Sequence, residues 1–224
     1  MRNRRGFSVR VLVSTAIACS TLMVAPAIGA QSAWAATSKN LIKNPSAEAA
    51  PGGSGAVVAV PSWTMTTGAT FTAVKYGVGG GFPDATSPGA HNRGLNFFAG
   101  GPSDASSTIV AVQTIPLKKY ATAIAGGGVT FALSAYLGGF ASQNDQASIE
   151  VDFRDKHALT IDSATIGPVT AADRASVTGL LQRLANGSVP VGSKTIFVQM
   201  ILVRTEGSYN DAYADNLSLT LSGV

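Results

Sequence analysis

Apolar and polar residues alternate strictly along Ala147-Ser148-Ile149-Glu150-Val151-Asp152-Phe153, which puts Ile149, Val151 and Phe153 on one face of an extended segment and Glu150 and Asp152 on the other. A segment with one dry side and one wet side belongs to a sheet that covers a core with a single surface. The same rhythm, or an apolar run of strand length, recurs at Phe71–Lys75, Leu95–Ala99, Thr108–Ile115, Val129–Leu137, Ala158–Ile161, Leu180–Leu184, Thr195–Val203 and Tyr213–Leu221. Gly, Pro, Asn or Asp separate nearly all of these stretches. Val129, Phe131, Leu133 and then Tyr136 read as a second inward face, and Ile196 to Val203, apolar almost throughout, reads as a strand covered on both sides. One short helix is expected, from Lys118 to Ala125, stopped by Gly126-Gly127-Gly128. Asp155-Lys156, just ahead of His157, makes a hairpin tip. Short strands at this spacing, with no regular alternation of strand and helix, predict an all-β fold, an antiparallel β-sandwich of jelly-roll type.

The N-terminal stretch follows a different logic. Arg2, Arg4, Arg5 and Arg10 precede an apolar run from Val11 to Ala30, and Ala33-Trp34-Ala35 follows it. Charged, apolar and small residues in that order are the layout of a secretory signal. Residues 1–35 are therefore expected to be removed, and residues 36–224 to form a single secreted domain without a stable membrane span. Pro26, Gly29 and the interspersed Ser and Thr argue against an anchor, although the run nearly reaches spanning length. Arg4-Arg5-Gly6-Phe7 also resembles the opening of a twin-arginine signal, and the export route stays open between that and the general one. Cys19, the single cysteine, lies inside the apolar run, so the exported part has neither a disulfide nor a thiol. The apolar residues that follow Cys19 disfavour a lipoprotein tether there. Cleavage after Ala35 removes four of the 16 basic side chains and none of the 12 acidic ones, which leaves the domain with no formal net charge. A neutral domain whose longest basic run is Lys118-Lys119 lacks the footprint that nucleic-acid binding needs.

Two motifs near the ends of the exported part carry the most specific pattern. Asn40-Leu41-Ile42-Lys43-Asn44-Pro45-Ser46-Ala47-Glu48 opens it, with Val60-Pro61-Ser62-Trp63 behind, and Tyr209-Asn210-Asp211-Ala212-Tyr213-Ala214-Asp215-Asn216-Leu217-Ser218-Leu219 stands near the other end. This pairing resembles the galactose-binding-like jelly rolls, in particular secreted carbohydrate-binding modules that carry a structural calcium site. The resemblance spans residues 36–224 in strand order, and its residue-level matches are confined to the two ends. It implies a non-catalytic module that binds a polysaccharide, a cell-surface glycan or another extracellular surface. It also implies a calcium ion tying the first strand to the last, with Glu48 and Asp215 as side-chain ligands. Calcium takes about six to eight hard oxygens, so backbone carbonyls and water would complete the set, and a metal clip across so long a loop restrains the unfolded chain. Asn44 or Asn216 could add an oxygen, and the spacing does not decide between them. The alternative on the same fold is a structural or protein-interaction domain of the bacterial cell envelope or of a secreted assembly.

Long Gly-rich loops on the rim of a sandwich are where binding residues sit. Tyr76, Phe82, His91, Asn92, Arg93 and Tyr209 lie in or beside such loops and combine stacking surfaces with polar donors, which makes them the candidate ligand-binding residues. Trp63 belongs with the core in this reading. No catalytic residue is expected. The chain has no G-x-S-x-G elbow, since Gly52-Gly53-Ser54-Gly55-Ala56 fails at its last position. His91 and His157 stand 66 positions apart with no cysteine in the exported part, too sparse for zinc. Glu150 with Asp152 is a conceivable glycosidase pair, but alternating outward acids read as a solvated face. A glycoside hydrolase or esterase is thus the remote alternative.

Overall fold

A computed structural model of the chain describes residues 36–102 and 106–224. The signal reading of residues 1–35, Cys19 included, lies outside the described residues. The period-two segments form strands β1 (Thr64–Thr67), β2 (Thr72–Lys75), β3 (Asn96–Pro102), β4 (Thr108–Pro116), β5 (Thr130–Gly139), β6 (Gln146–Arg154), β7 (Thr160–Ile166), β8 (Gly179–Ser188), β9 (Thr195–Val203) and β10 (Tyr209–Ser222). They make two five-stranded antiparallel sheets, ordered β1-β4-β9-β6-β7 and β2-β3-β10-β5-β8. β1 has no counterpart among the expected strands. Its Thr64-Met65-Thr66-Thr67 is exposed throughout, so it carries no apolar alternation to read, and only its pairing with β4 defines it. The helical segment runs as a 3-10 turn over Lys118–Tyr120 and an α turn over Ala121–Gly126, buries Ile124, and ends at Gly127 with φ 76°. At the hairpin tip Asp155 Oδ1 accepts from the backbone N–H groups of His157 and Leu159.

The two sheets close over a common core. Trp63, Phe71 and Phe98 form its aromatic end: Phe71 stacks on Phe98 at 5.5 Å between centroids, and Trp63 meets Phe98 edge-on at 5.8 Å. Phe131 and Phe153 meet across the sheets at 5.0 Å. Strand β9 corrects the expectation of a strand dry on both sides. Ile196, Val198, Met200 and Leu202 are buried, whereas Phe197, Gln199, Ile201 and Val203 are only half-buried. The outer apolar residues are tolerated because β9 is the central strand, flanked by β4 and β6, and the Arg154 guanidinium lies 3.8 Å from the Phe197 ring centroid. In β5, Phe131, Leu133, Ala135 and Leu137 face inward, while Tyr136 joins the opposite face.

That opposite face is covered too. The loop across residues 76–95 folds over the outside of the β2-β3-β10-β5-β8 sheet and creates a second, smaller cluster. Val74, Phe97, Ala99, Leu180 and Tyr213 are fully buried in it, with Tyr76, Phe82, Tyr136, Phe140 and Tyr209 around them.

The first described segment is hydrogen-bonded to the last strand. Ser38 N–H donates to Leu221 O, Leu41 N–H to Leu219 O, and Leu217 N–H to Pro45 O. Asn40 fills the gap with its side chain, which accepts from Ile42 N–H and Leu219 N–H and donates to Leu217 O. Removing the ring from the aromatic end of the core by Phe98→Ala should cost about 3–5 kcal/mol in unfolding free energy, measured by urea denaturation. A loss under about 1 kcal/mol would show that the site collapses around the missing ring, contrary to the packing described.

Candidate functional site

Strand β10 carries two alternations in one run. Ala212 and Ala214 point into the core, so Tyr209, Asp211, Tyr213 and Asp215 all project from the outer face. A bulge between Asp215 and Ser218, with Asn216 at φ 48°, then shifts the phase, and Leu217, Leu219 and Leu221 take the inward positions. The outer face of one strand therefore presents tyrosine and carboxylate in alternation beneath the Gly-rich loop.

At the end next to the bulge, Asp215 is fully buried. Its Oδ2 accepts from Tyr76 Oη at 2.7 Å and its Oδ1 from Asn216 N–H at 2.7 Å. Burial pushes its carboxyl up to about 7. The charge of Glu48 adds to the rise, and the hydrogen bonds together with the nearby Arg93 guanidinium oppose it. Burial and the adjacent Asp215 also raise the Tyr76 hydroxyl far above its ordinary range. Glu48 approaches from the first chain segment, and its Oε1 accepts from the backbone N–H groups of Leu95 and Asn96, both at 2.9 Å. Gly94, at φ 72°, leaves the room this carboxylate needs, since an added Cβ would press on Glu48. Asn96 donates through Nδ2 to Ala47 O and Ala50 O, and its Oδ1 is buried without a hydrogen-bond partner. The structure thus brings Glu48 and Asp215 into one electrostatic neighbourhood.

At the other end of the row lies a hollow of about 410 Å³. Phe82, Phe140 and Tyr209 form its aromatic walls, Ser54, Gly55, Ala56 and Pro102 its rim, and Asp211 is the single charged lining group among the described residues. Phe82 meets Tyr209 edge-on at 5.4 Å. Gly81, at φ 88°, lets the loop close on Phe140, because any Cβ there would overlap that ring. Asp211 accepts a hydrogen bond from the buried Tyr213 hydroxyl. Burial, reinforced by the charge of Asp145, pushes its carboxyl up to about 6, while the bond from Tyr213 works against the rise. The Tyr209 hydroxyl is buried without a hydrogen-bond partner.

Of the six residues expected to bind a ligand, Phe82 and Tyr209 line the hollow. Tyr76 lies beneath the loop on Asp215, with the Arg93 guanidinium 5.1 Å from its ring centroid. Arg93 spends its donors on the carbonyls of Asp84, Ser87 and Ala90 and so shapes the loop. Asn92 and His91 are exposed, and Asn92 accepts from the Asn216 side chain, away from the hollow. Asp211 and Phe140 were not among the expected residues. The alternation Tyr209-x-Asp211-x-Tyr213-x-Asp215 was the signal that could have found Asp211.

On the other sheet, Glu150 and Asp152 do share an outward face, but the face is not the solvated one expected. Asp152 is buried and paired with Arg154 at 2.7 Å. Burial and Asp152 raise the Glu150 carboxyl. A hollow of about 530 Å³ on that side is lined by Leu41, Lys43, Thr64, Val112 and Thr114 among others, and neither acid reaches it. Among the described residues no three His, Cys, Asp or Glu side chains cluster to hold a metal, and no helix is long and apolar enough to cross a membrane.

No known family pattern matches the chain, and no curated protein matches it by sequence. Solved structures do. A cyclase from Fischerella sp. TAU, in complex with (3Z)-3-(1-methyl-2-pyrrolidinylidene)-3H-indole, is 11% identical over 83% of this chain and 98% of that one, with a TM-score of 0.53. The enzymatically active domain of tailspike protein 4 of bacteriophage CBA120 is 14% identical over 80% of this chain, with a TM-score of 0.52, and this chain spans 21% of it. These likenesses establish the β-sandwich fold. The xylan-binding domain from Paenibacillus barcinonensis, 14% identical over 73% of this chain and 87% of that one, is a looser likeness at a TM-score of 0.42.

Asp211 and Asp215 give the folded state a sign that can be measured. Both carboxyls are raised above their ordinary 3.8, so ionisation favours the unfolded chain. Their contribution to stability is complete below about pH 4 and is lost as pH rises through about 6 to 7. In chelator-containing buffer the melting temperature should be higher at about pH 5 than at about pH 8, and Asp215→Asn should shrink the difference. A higher melting temperature at the alkaline end would contradict the burial of these groups.

Proposed function

We propose that the chain is an exported, non-catalytic binding module that takes a glycan in the hollow formed by Phe82, Phe140, Tyr209 and Asp211. The observation that carries this is the hollow itself, an aromatic cup with one polar acceptor at its wall. Sugar rings have apolar faces that stack on aromatic rings and hydroxyls that need acceptors, and the cup offers both through its three rings and Asp211. Its walls are fixed rather than adaptable. Phe140 is held by the close approach of Gly81, Tyr209 sits on β10, and Phe82 is wedged between Tyr209 and Tyr213. A rigid wall binds at lower entropic cost. Export is supported by the charged, apolar and small-residue order of residues 1–35.

We propose in addition that Glu48 and Asp215 hold calcium between the chain ends. Two carboxylates that feel each other's charge, with the unpartnered Asn96 Oδ1 beside the backbone that Glu48 holds, are an oxygen set of the right hardness. Carbonyls and water would supply the remainder, and the ion would clip the first segment to β10.

One observation favours a second reading. A carboxyl raised to about 6 in an apolar cup is placed as a proton donor is placed, and the cyclase that shares this fold binds a nitrogen heterocycle. Under that reading Asp211 would deliver a proton to a small unsaturated ligand.

Affinity electrophoresis of residues 36–224 in gels containing soluble polysaccharides separates the two. Retardation by at least one polysaccharide is expected, weakened about tenfold or more by Tyr209→Ala. No retardation of the folded domain in any gel would remove the glycan reading and leave the acid reading ahead. For the metal, a chelator should lower the melting temperature of the wild type and barely change that of Asp215→Ala. Equal sensitivity in both proteins, or none in either, would dismiss the calcium site.

A further inference from the structure

We infer that the sugar this cup prefers carries an unacetylated amine, so that a ligand ammonium sits between the aromatic walls and pairs with Asp211. The inference rests on the glycan reading and narrows its ligand to amino sugars. Three observations carry it. First, among the described residues Asp211 is the one charged group lining the hollow and makes no ion pair, the bridges being Arg154–Asp152 and Arg183–Asp173. Second, none of the groups that face it is a counter-ion paired with it. Asp145 is fully buried behind it and spends its oxygens on the N–H groups of Thr205, Glu206 and Asp211. Tyr213 gives it a hydrogen bond, and Tyr209 lies close enough to feel its charge. Arg174 packs against Gly139 near the Asp211 carbonyl, yet its guanidinium is committed to the carbonyls of Ala141, Gln143 and Val177. Third, the remaining walls are the rings of Phe82, Phe140 and Tyr209, whose faces attract a cation and lose nothing by excluding water.

The physical consequence is a preference of sign. A neutral sugar hydroxyl donates one hydrogen bond to Asp211 and leaves its charge without a counter-ion against apolar walls, which is costly. An ammonium removes that cost and meets the aromatic faces as well. An N-acetyl group on the same nitrogen abolishes the charge and places a methyl and a carbonyl where the acceptor stands, so the acetylated sugar is discriminated against twice.

The test is calorimetric titration of the exported domain with glucosamine oligosaccharides, their N-acetylated counterparts of equal length, and N,N,N-trimethylated ones. The amine form should bind about tenfold or more tightly than the acetylated form, and Asp211→Asn, shown folded by circular dichroism, should erase that ratio. Equal binding of the amine and acetylated forms overturns the inference and leaves the glycan reading standing, whereas a folded domain that binds neither form removes both. A ratio that survives Asp211→Asn overturns it as well. So does equally tight binding of lysinamide, which would show that a protein side chain suffices and the sugar is not recognised. Should Asp211→Asn fail to fold, the trimethylated oligosaccharide settles the matter with the wild type. Its charge is permanent, so its affinity should fall as pH drops through about 6, where Asp211 gains its proton, and a flat profile would count against the pairing.

Discussion

The hydrogen bonding of the first described segment to β10 is the constraint on which the rest of the molecule depends. In a sandwich without disulfides, the strand that enters last must be fixed from both sides. β10 has β3 on one side and β5 on the other, with the segment from Thr37 to Pro45 laid along its final turns. Asn40 makes this possible by acting as a piece of backbone, accepting twice and donating once where the extended segment departs from ladder geometry. The same arrangement delivers Glu48 to the N–H groups of Leu95 and Asn96, so the anchoring of the chain start also sets the base of the Gly-rich loop.

From that anchor the candidate site follows almost mechanically. β10 holds Tyr209, Asp211, Tyr213 and Asp215 in a row, and the loop that Glu48 and Arg93 shape folds its own aromatic residues against them. Two carboxylates end up in low-dielectric surroundings, one facing Tyr76 and Glu48 beneath the loop and one facing the open cup. Their environments differ in what can reach them. Asp215 has partners within the protein and no exposure, whereas Asp211 opens onto a hollow large enough for a ligand.

The strands were legible because a half-buried sheet writes its geometry as alternation, and Ile149-x-Val151-x-Phe153 could hardly be anything else. β1 was not, because both of its faces are wet and only the partner strand holds it. The two-sided reading of Ile196 to Val203 failed for a related reason: central position and an arginine over Phe197 make apolar residues tolerable on an outer face without a covering layer. The chain-end motifs drew attention to Glu48 and Asp215 together, and the charge of Glu48 does reach Asp215. The cup could be seen only by half, through Phe82 and Tyr209. Asp211 looked like one polar residue in a mixed run, and Phe140 comes from a different strand turn that only the tertiary fold brings alongside Gly81. Arg93, with its charge and loop position, looked ligand-facing, but unsatisfied loop carbonyls claimed it first.

The bulge at Asn216 separates two incompatible duties within a single strand. Upstream of it, odd-numbered positions belong to the ligand side; downstream, odd-numbered positions belong to the interior. Evolution can therefore vary the chemistry of the row without touching the hydrophobic zipper that follows it, but it cannot lengthen the connection by one residue. A single residue inserted there, with the ladder otherwise kept, would turn Leu217 and Leu219 into water, whereas removing Asn216 would leave the plain alternation that already sets Asp215 outside and Leu217 inside. Insertions in this lineage of sandwiches should accordingly accumulate in the loop above the row and spare the kink below it.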